Sequence, residues 1–269
     1  MNGGGIFDKF AFGGMAKGTK VRTLALSAAG RSAKRRKPES GTTAVKASTS
    51  AASQPGGGDG RTKPAGGLLP KLGSRPLRLI LVGHNPSAHA WSSGHYYSHP
   101  GNRMWPILRE TGIAPADLVR GCEDDGSMPE SCGVGFIDVG VGHPGTDSSK
   151  IDLRDEKFHG GFYAHLRDHL ELAGAPPRIV AFTGKKQFVD LLNANRRGKK
   201  VQTVALGPQD PASLPRGWPF PPITRVFVLT STSGASALTN EARIRPYAEL
   251  AKELSAIDWP LPPPEPPSV

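Results

Sequence analysis

Between residues 77 and 257 the chain alternates short, unbroken apolar runs with longer stretches whose apolar residues recur every three or four positions. Leu77-Arg78-Leu79-Ile80-Leu81-Val82 is followed by Gly83 and predicts a buried strand. Val134 to Val139, Arg178 to Phe182 and Arg225 to Leu229 predict three more, and Val201 to Leu206 a weaker one. Met104, Ile107 and Leu108 have helical spacing within 102–110, as do Phe162, Leu166 and Leu170 further on. A helix is expected from Gly184 to Leu192, and a long amphipathic one over 240–257. Strand–helix alternation of this kind predicts a three-layer α/β/α domain with a central, mostly parallel sheet. In such sheets ligands bind beyond the carboxyl ends of the strands. The loops after Val82 and Leu229 are therefore where chemistry is expected.

The flanks differ in character. Residues 1–75 carry 14 Lys+Arg against 3 Asp+Glu, whereas the rest of the chain has 20 of each sign. The whole net charge of +11 thus belongs to the N-terminal arm. The arm is rich in Gly, Ala, Ser and Thr and cannot bury enough apolar surface to offset its ordering entropy, so disorder is expected. Lys34-Arg35-Arg36-Lys37-Pro38 fits a nuclear-import signal or a nucleic-acid tether. The same arm, poor in acids and rich in Arg, Ser and Ala, also fits a mitochondrial or plastid transit peptide. Pro260 to Val269 reads as an extended, Pro-rich tail. The expected organisation is an arm over 1–75, a domain over 76–257 and a tail over 258–269.

Composition excludes several classes. No stretch approaches the ~20 apolar residues of a membrane-spanning helix. Cys122 and Cys132 are the only cysteines, too few for a disulfide framework or a four-cysteine cluster, and they form no C-x-x-C pair. No metal, cofactor or stable oligomer is expected.

The two loops carry the least ordinary residues. The first holds Gly83-His84-Asn85-Pro86-Ser87, then Tyr96-Tyr97-Ser98-His99-Pro100-Gly101-Asn102-Arg103. The second holds Ser231-Thr232-Ser233-Gly234-Ala235-Ser236. A non-titrating amide, adjacent aromatics and a small-residue loop rich in hydroxyls and backbone N–H groups suit a phosphate-bearing ligand with a stackable base. Corners between strands and helices also use Gly, Asn, Pro and Ser for geometry alone.

Order and spacing narrow the choice. G-H-N-P-S, followed fourteen residues after Asn85 by H-P-x-N-R-x-W, resembles the mismatch-specific uracil/thymine branch of the uracil-DNA glycosylase superfamily. The resemblance runs through Gly135-Phe136-Ile137-Asp138, Asp147-Ser148-Ser149-Lys150 and Phe182-Thr183-Gly184-Lys185 to the Ser/Gly loop, covering about residues 76–257. It implies hydrolysis of the N-glycosidic bond of a mispaired or damaged base in double-stranded DNA, by a monomer without metal.

By this resemblance Asn85 is the catalytic residue, its amide placing the water that attacks C1′. His84, Tyr97 and Ser231 fall at base-binding positions, Tyr97 as the stacking aromatic and His84 largely through its backbone. Ser87, Lys185, Ser233, Gly234 and Ser236 fall at DNA-contacting positions. Relatives often carry Asn-Pro-Ser-Gly-Leu-Ser in the second loop, so Ser231 replaces a larger residue and Ala235 replaces an apolar wedge. A methyl group holds a base gap open poorly, and Leu238 is the nearest alternative. The resemblance implies a monofunctional uracil glycosylase acting chiefly on G·U, with thymine in G·T a lesser substrate. Hypoxanthine removal is the alternative suggested by Tyr96 to Pro100, and Asn85 argues against it. A binding protein that has lost catalysis is the third reading, supported by Ser231 and Ala235.

Overall fold

The computed structural model describes residues 67–262. The targeting and tether readings of the arm, and the tail beyond 262, lie outside the described residues.

Five strands form one sheet in the order β2-β1-β3-β5-β4. They are β1 (Leu79–Gly83), β2 (Val134–Asp138), β3 (Ile179–Phe182), β4 (Gly207–Pro208) and β5 (Arg225–Val228). The first three and β5 run parallel, and β4 closes the edge antiparallel to β5. In β1, β2 and β3 every residue is buried, which is why these runs read as continuously apolar.

Alternation along each strand sends successive side chains to opposite faces. Leu79, Leu81, Phe136, Ala181 and Phe227 face one layer, with Met104, Leu108, Tyr247 and Leu250. Ile80, Val82, Ile137, Val180 and Val226 face the other, with Phe162, Leu166, Phe188 and Leu191. The result is the expected three-layer α/β/α arrangement. Phe136 and Phe182 are fully buried, one on each face, and truncating either to Ala costs about 3–5 kcal/mol.

The helices are α1 (Ala88–Ser93), α2 (Met104–Glu110), α3 (Met128–Cys132), α4 (Glu156–Ala173), α5 (Lys185–Asn193) and α6 (Asn240–Ser255). Local chemistry sets their ends. Asp155 caps α4 by accepting from Lys157 N–H, and Gly174 ends it at φ +71°. Thr239 caps α6 by accepting from Ala242 N–H. Along α6, Arg243, Tyr247, Leu250 and Leu254 form the buried stripe, the spacing of a helix packed along one side.

Two readings of the sequence change. Val201 to Leu206 forms no strand; the edge strand is Gly207–Pro208 instead. The Asn193 side chain takes both backbone groups of Val201, accepting from its N–H at 2.9 Å and donating to its carbonyl at 2.8 Å. Val204 and Leu206 pack against the core without a ladder. Packing also begins ahead of residue 76. Leu68 and Leu72 are buried, and Lys71 exchanges two 2.8 Å backbone hydrogen bonds with Phe136. Beyond 257, the Trp259 indole N–H donates to the Glu130 carbonyl at 3.3 Å.

Candidate active site

A cleft of about 1060 Å³ opens beyond the carboxyl ends of β1, β2, β3 and β5, where the topology places ligands. Its lining includes His84, Asn85, Ser87, Tyr97, Asp138, Lys185, Lys186, Ser231, Ser233 and Gly234. The structure thus brings together all but one of the catalytic, base-binding and DNA-contacting candidates read from the sequence. Ser236 is not in the lining; its carbonyl accepts from the Arg243 guanidinium at 2.9 Å.

Asn85 is held at every polar atom. Its amide nitrogen donates to the carbonyls of Pro86 (3.0 Å), His143 (3.2 Å) and Gly145 (2.9 Å). Its oxygen lies 2.8 Å from His84 Nδ1. Three carbonyls around one end of the amide fix which end is nitrogen, so the oxygen must accept from His84. This positions the amide by four contacts from two segments. Gly140 permits the approach, since a Cβ there would stand 2.9 Å from the Asn85 Cβ.

His84 continues the chain of contacts. Its Nε2 lies 2.8 Å from Lys186 Nζ, which also donates to Asp190 at 2.9 Å. With both ring nitrogens engaged by protein, His84 presents only its ring edge and backbone to a ligand. Burial lowers its pKa below the ordinary value despite the bond to Asn85, and the nearby Lys186 charge lowers it further.

Tyr97 forms the opposite wall. Its backbone sits at φ +54°, a conformation costly for an aromatic residue and held by its surroundings. The ring packs against Phe136 with centroids 6.4 Å apart. Thr183 donates its hydroxyl hydrogen to the Val82 carbonyl at 3.1 Å, so at its 3.1 Å contact with Tyr97 it can only accept. The Tyr97 proton is therefore committed to Thr183.

Asp138 is a candidate site residue that sequence reasoning did not single out. It ends β2 opposite Gly83 in the parallel register. It is 4% exposed, faces the cleft and has no hydrogen-bond donor among the described residues. The Tyr97 hydroxyl, which borders the same space at Gly83, is already spent. Burial pushes the Asp138 carboxyl up to about 7 and, with that carboxyl beside it, raises Tyr97 as well. The available signal was an acid terminating an otherwise apolar strand run, at the end where ligands bind.

The second loop is locked to the first. Arg103 N–H donates to the Thr232 carbonyl at 2.9 Å. A Cβ on Gly234 would come within 2.5 Å of the Gly101 carbonyl oxygen, so this approach needs glycine. Ser231 and Ser233 each accept one loop N–H at 3.3 Å, from Ser233 and Ala235 respectively. Among the described residues their hydroxyl hydrogens have no acceptor. Ser87 instead caps α1, accepting from Ala90 N–H at 3.1 Å. Leu238 lies beyond the loop and is 40% exposed.

The arrangement combines a fixed amide, an aromatic wall, an unpartnered carboxyl and hydroxyl donors on the rim. It suits a polar, stackable group brought against Asn85. Among the described residues no cluster of metal ligands occurs.

A solved solution structure of a candidate uracil DNA glycosylase from Methanosarcina acetivorans is similar to this chain at 19% sequence identity. The match covers 70% of this chain and 97% of that one, with a TM-score of 0.44. The family model described as the uracil DNA glycosylase superfamily matches residues 70–255, which is most of the chain, all of the sheet and all of the cleft lining but Leu68. On that match, the chain belongs to the uracil DNA glycosylase superfamily.

Proposed function

We propose that the protein is a monofunctional DNA glycosylase that hydrolyses the N-glycosidic bond of uracil, chiefly in G·U mismatches, with thymine in G·T a lesser substrate. Family membership supports the reaction class. The observation that carries the reading is the fourfold fixation of Asn85 at the cleft floor.

In this reading the target base leaves the duplex stack and enters the cleft against Tyr97. The Asn85 amide nitrogen is fully used by carbonyls, which leaves the second lone pair of its oxygen for a water hydrogen. An amide does not take protons near neutral pH, so Asn85 orients the water rather than deprotonating it. The C1′–N bond breaks with its electron pair going to the base, water bonds to C1′ of the resulting oxocarbenium-like sugar, and the proton that the water releases ends on the departed base. The ionised Asp138 carboxyl needs a donor that none of the described residues supplies, and the imide N–H of uracil or thymine is one. Ser231 and Ser233 offer hydroxyl hydrogens to the base and backbone. No lysine falls at the catalytic or base-binding positions of the motif, which argues against imine formation. Strand cleavage by the protein itself is therefore not expected. The enzyme acts as a monomer on duplex DNA in the nucleus, the placement resting on Lys34 to Lys37.

Single-turnover assays on duplexes carrying U·G, U·A, T·G or hypoxanthine, followed by hot alkali, test the proposal. U·G cleavage that collapses in Asn85→Ala supports it. Hypoxanthine release surviving that substitution replaces uracil as the substrate. Tight binding with no abasic product overturns catalysis altogether.

A further inference from the structure

Building on the glycosylase reading, we propose that Lys186 is a phosphodiester-binding residue of the cleft, held in register with Asn85 by His84. An ammonium has three hydrogens to donate and no lone pair. Facing Lys186 at 2.8 Å, His84 Nε2 must therefore be the bare nitrogen of a neutral ring. The remaining ring hydrogen is then on Nδ1, 2.8 Å from the Asn85 oxygen, and donates to it. Every bond in the series runs one way, from Lys186 to His84 to Asn85 and on to the carbonyls of Pro86, His143 and Gly145.

Two of the three Lys186 hydrogens are taken, by His84 and by Asp190. Among the described residues the third has no acceptor. The side chain is 49% exposed, and it lines the cleft. A lysine this exposed ordinarily swings through many rotamers, whereas this one is tied at two points with a donor left over. Asp190 offsets part of its charge, and Asp152 nearby is itself occupied by Arg154 at 2.6 Å. Outside the arm the chain has equal numbers of acids and bases, and of the cations lining the cleft (Arg103, Lys185, Lys186 and Arg243), Lys186 is the one joined to Asn85 through His84. A DNA strand whose nucleotide is turned into the cleft brings its flanking phosphates to the rim. The spare hydrogen of Lys186 suits one of them.

The test uses the full chain and a duplex carrying a tetrahydrofuran abasic analogue opposite guanine, which binds without being cleaved. Affinity is measured against salt concentration. Lys186→Met is expected to lower the slope of log K against log salt by about 0.9, the contribution of one phosphate, while Lys186→Arg keeps it. Replacing one flanking phosphate by methylphosphonate is expected to weaken wild type but not Lys186→Met. His84→Phe is expected to show the same loss as Lys186→Met, and the double variant no more. An unchanged slope in Lys186→Met, or equal methylphosphonate penalties in both proteins, overturns the phosphate role. Additive losses in the double variant overturn the part assigned to His84. Duplex binding with the expected slopes but no uracil release by wild type would sink the glycosylase reading and leave this one standing.

Discussion

Asp138 stands directly across the β1–β2 ladder from Gly83, and its carboxyl occupies the space that a side chain at 83 would need. The Tyr97 hydroxyl closes the same space from above, 2.9 Å from that point. Gly83 is thus not a turn glycine. It is the opening that lets a buried carboxyl lie flat on the cleft floor. Gly83→Ala is expected to push the carboxyl out of place, costing about 1–3 kcal/mol of stability. Urea unfolding checks the stability, and the variant's single-turnover rate is expected to fall further than that destabilisation explains.

The Asp138 carboxyl also sets a pH dependence. Its folded-state pKa, about 7, lies above the ordinary 3.8. Stability from this group is therefore fully present below pH 4 and declines as pH rises toward 7, because ionisation is easier in the unfolded chain. Asp138→Asn removes the decline. It is expected to be more stable than wild type at pH 8 by on the order of a few kcal/mol, and little different at pH 4. Thermal unfolding at the two pH values measures this. Under the proposed recognition of an imide N–H, the wild-type rate on uracil rises through pH 7, and that rise is absent in Asp138→Asn.

Asn85 separates two effects that one substitution would confuse. Asn85→Ala removes the water-orienting oxygen and is expected to lower the single-turnover rate at least about a hundredfold. Asn85→Asp keeps the oxygen but turns the other end of the side chain from donor to acceptor among three carbonyls. The expected result is a further loss of about 1–3 kcal/mol in stability, or protonation of the new carboxyl. A denaturation curve for each variant beside its rate distinguishes orientation from folding.

Gly234 tests the junction of the two loops. Gly234→Ala places a methyl group against the Gly101 backbone carbonyl, which cannot move as a side-chain tip would. The loops are expected to part, with global stability changed by less than about 1 kcal/mol because both are exposed. The rate on U·G is expected to fall about tenfold or more, read by the same single-turnover assay.

Leu238 is the remaining candidate for the residue that holds the DNA gap. Leu238→Ala is expected to weaken product-duplex binding and slow base removal from paired DNA, with far less effect on a single-stranded substrate. Equal effects on both would assign the residue to the loop's own packing.

The sequence carried much of this fold because the central strands are buried on both faces, so Leu79 to Val82 and Ile179 to Phe182 read as unbroken apolar runs. Val201 to Leu206 misled for a physical reason. Its apolar side chains pack on the core, while the Asn193 amide takes the backbone groups of Val201. Asn85 was legible as a candidate because it follows the end of a recognisable strand, and Tyr97 because of its place in the motif that carries the family resemblance. Asp138 was not, since a lone acid after an apolar run ordinarily marks a turn. The Lys186–His84 contact spans 102 residues and depends on where β3 delivers the first turn of α5, which no local pattern encodes.

The junction of Gly101 with Gly234 and of Arg103 with Thr232 carries a consequence for biosynthesis. The Asn85 segment leaves the ribosome long before β5 and its loop exist. Until that last strand adds to the sheet edge at β3, the rim has only one side, and Asn85 faces open solvent in place of a cleft. On the proposed glycosylase reading, competence to act on DNA is therefore expected only late in the chain's synthesis. A nascent or prematurely terminated product that lacks β5 is expected to be inert toward DNA bases.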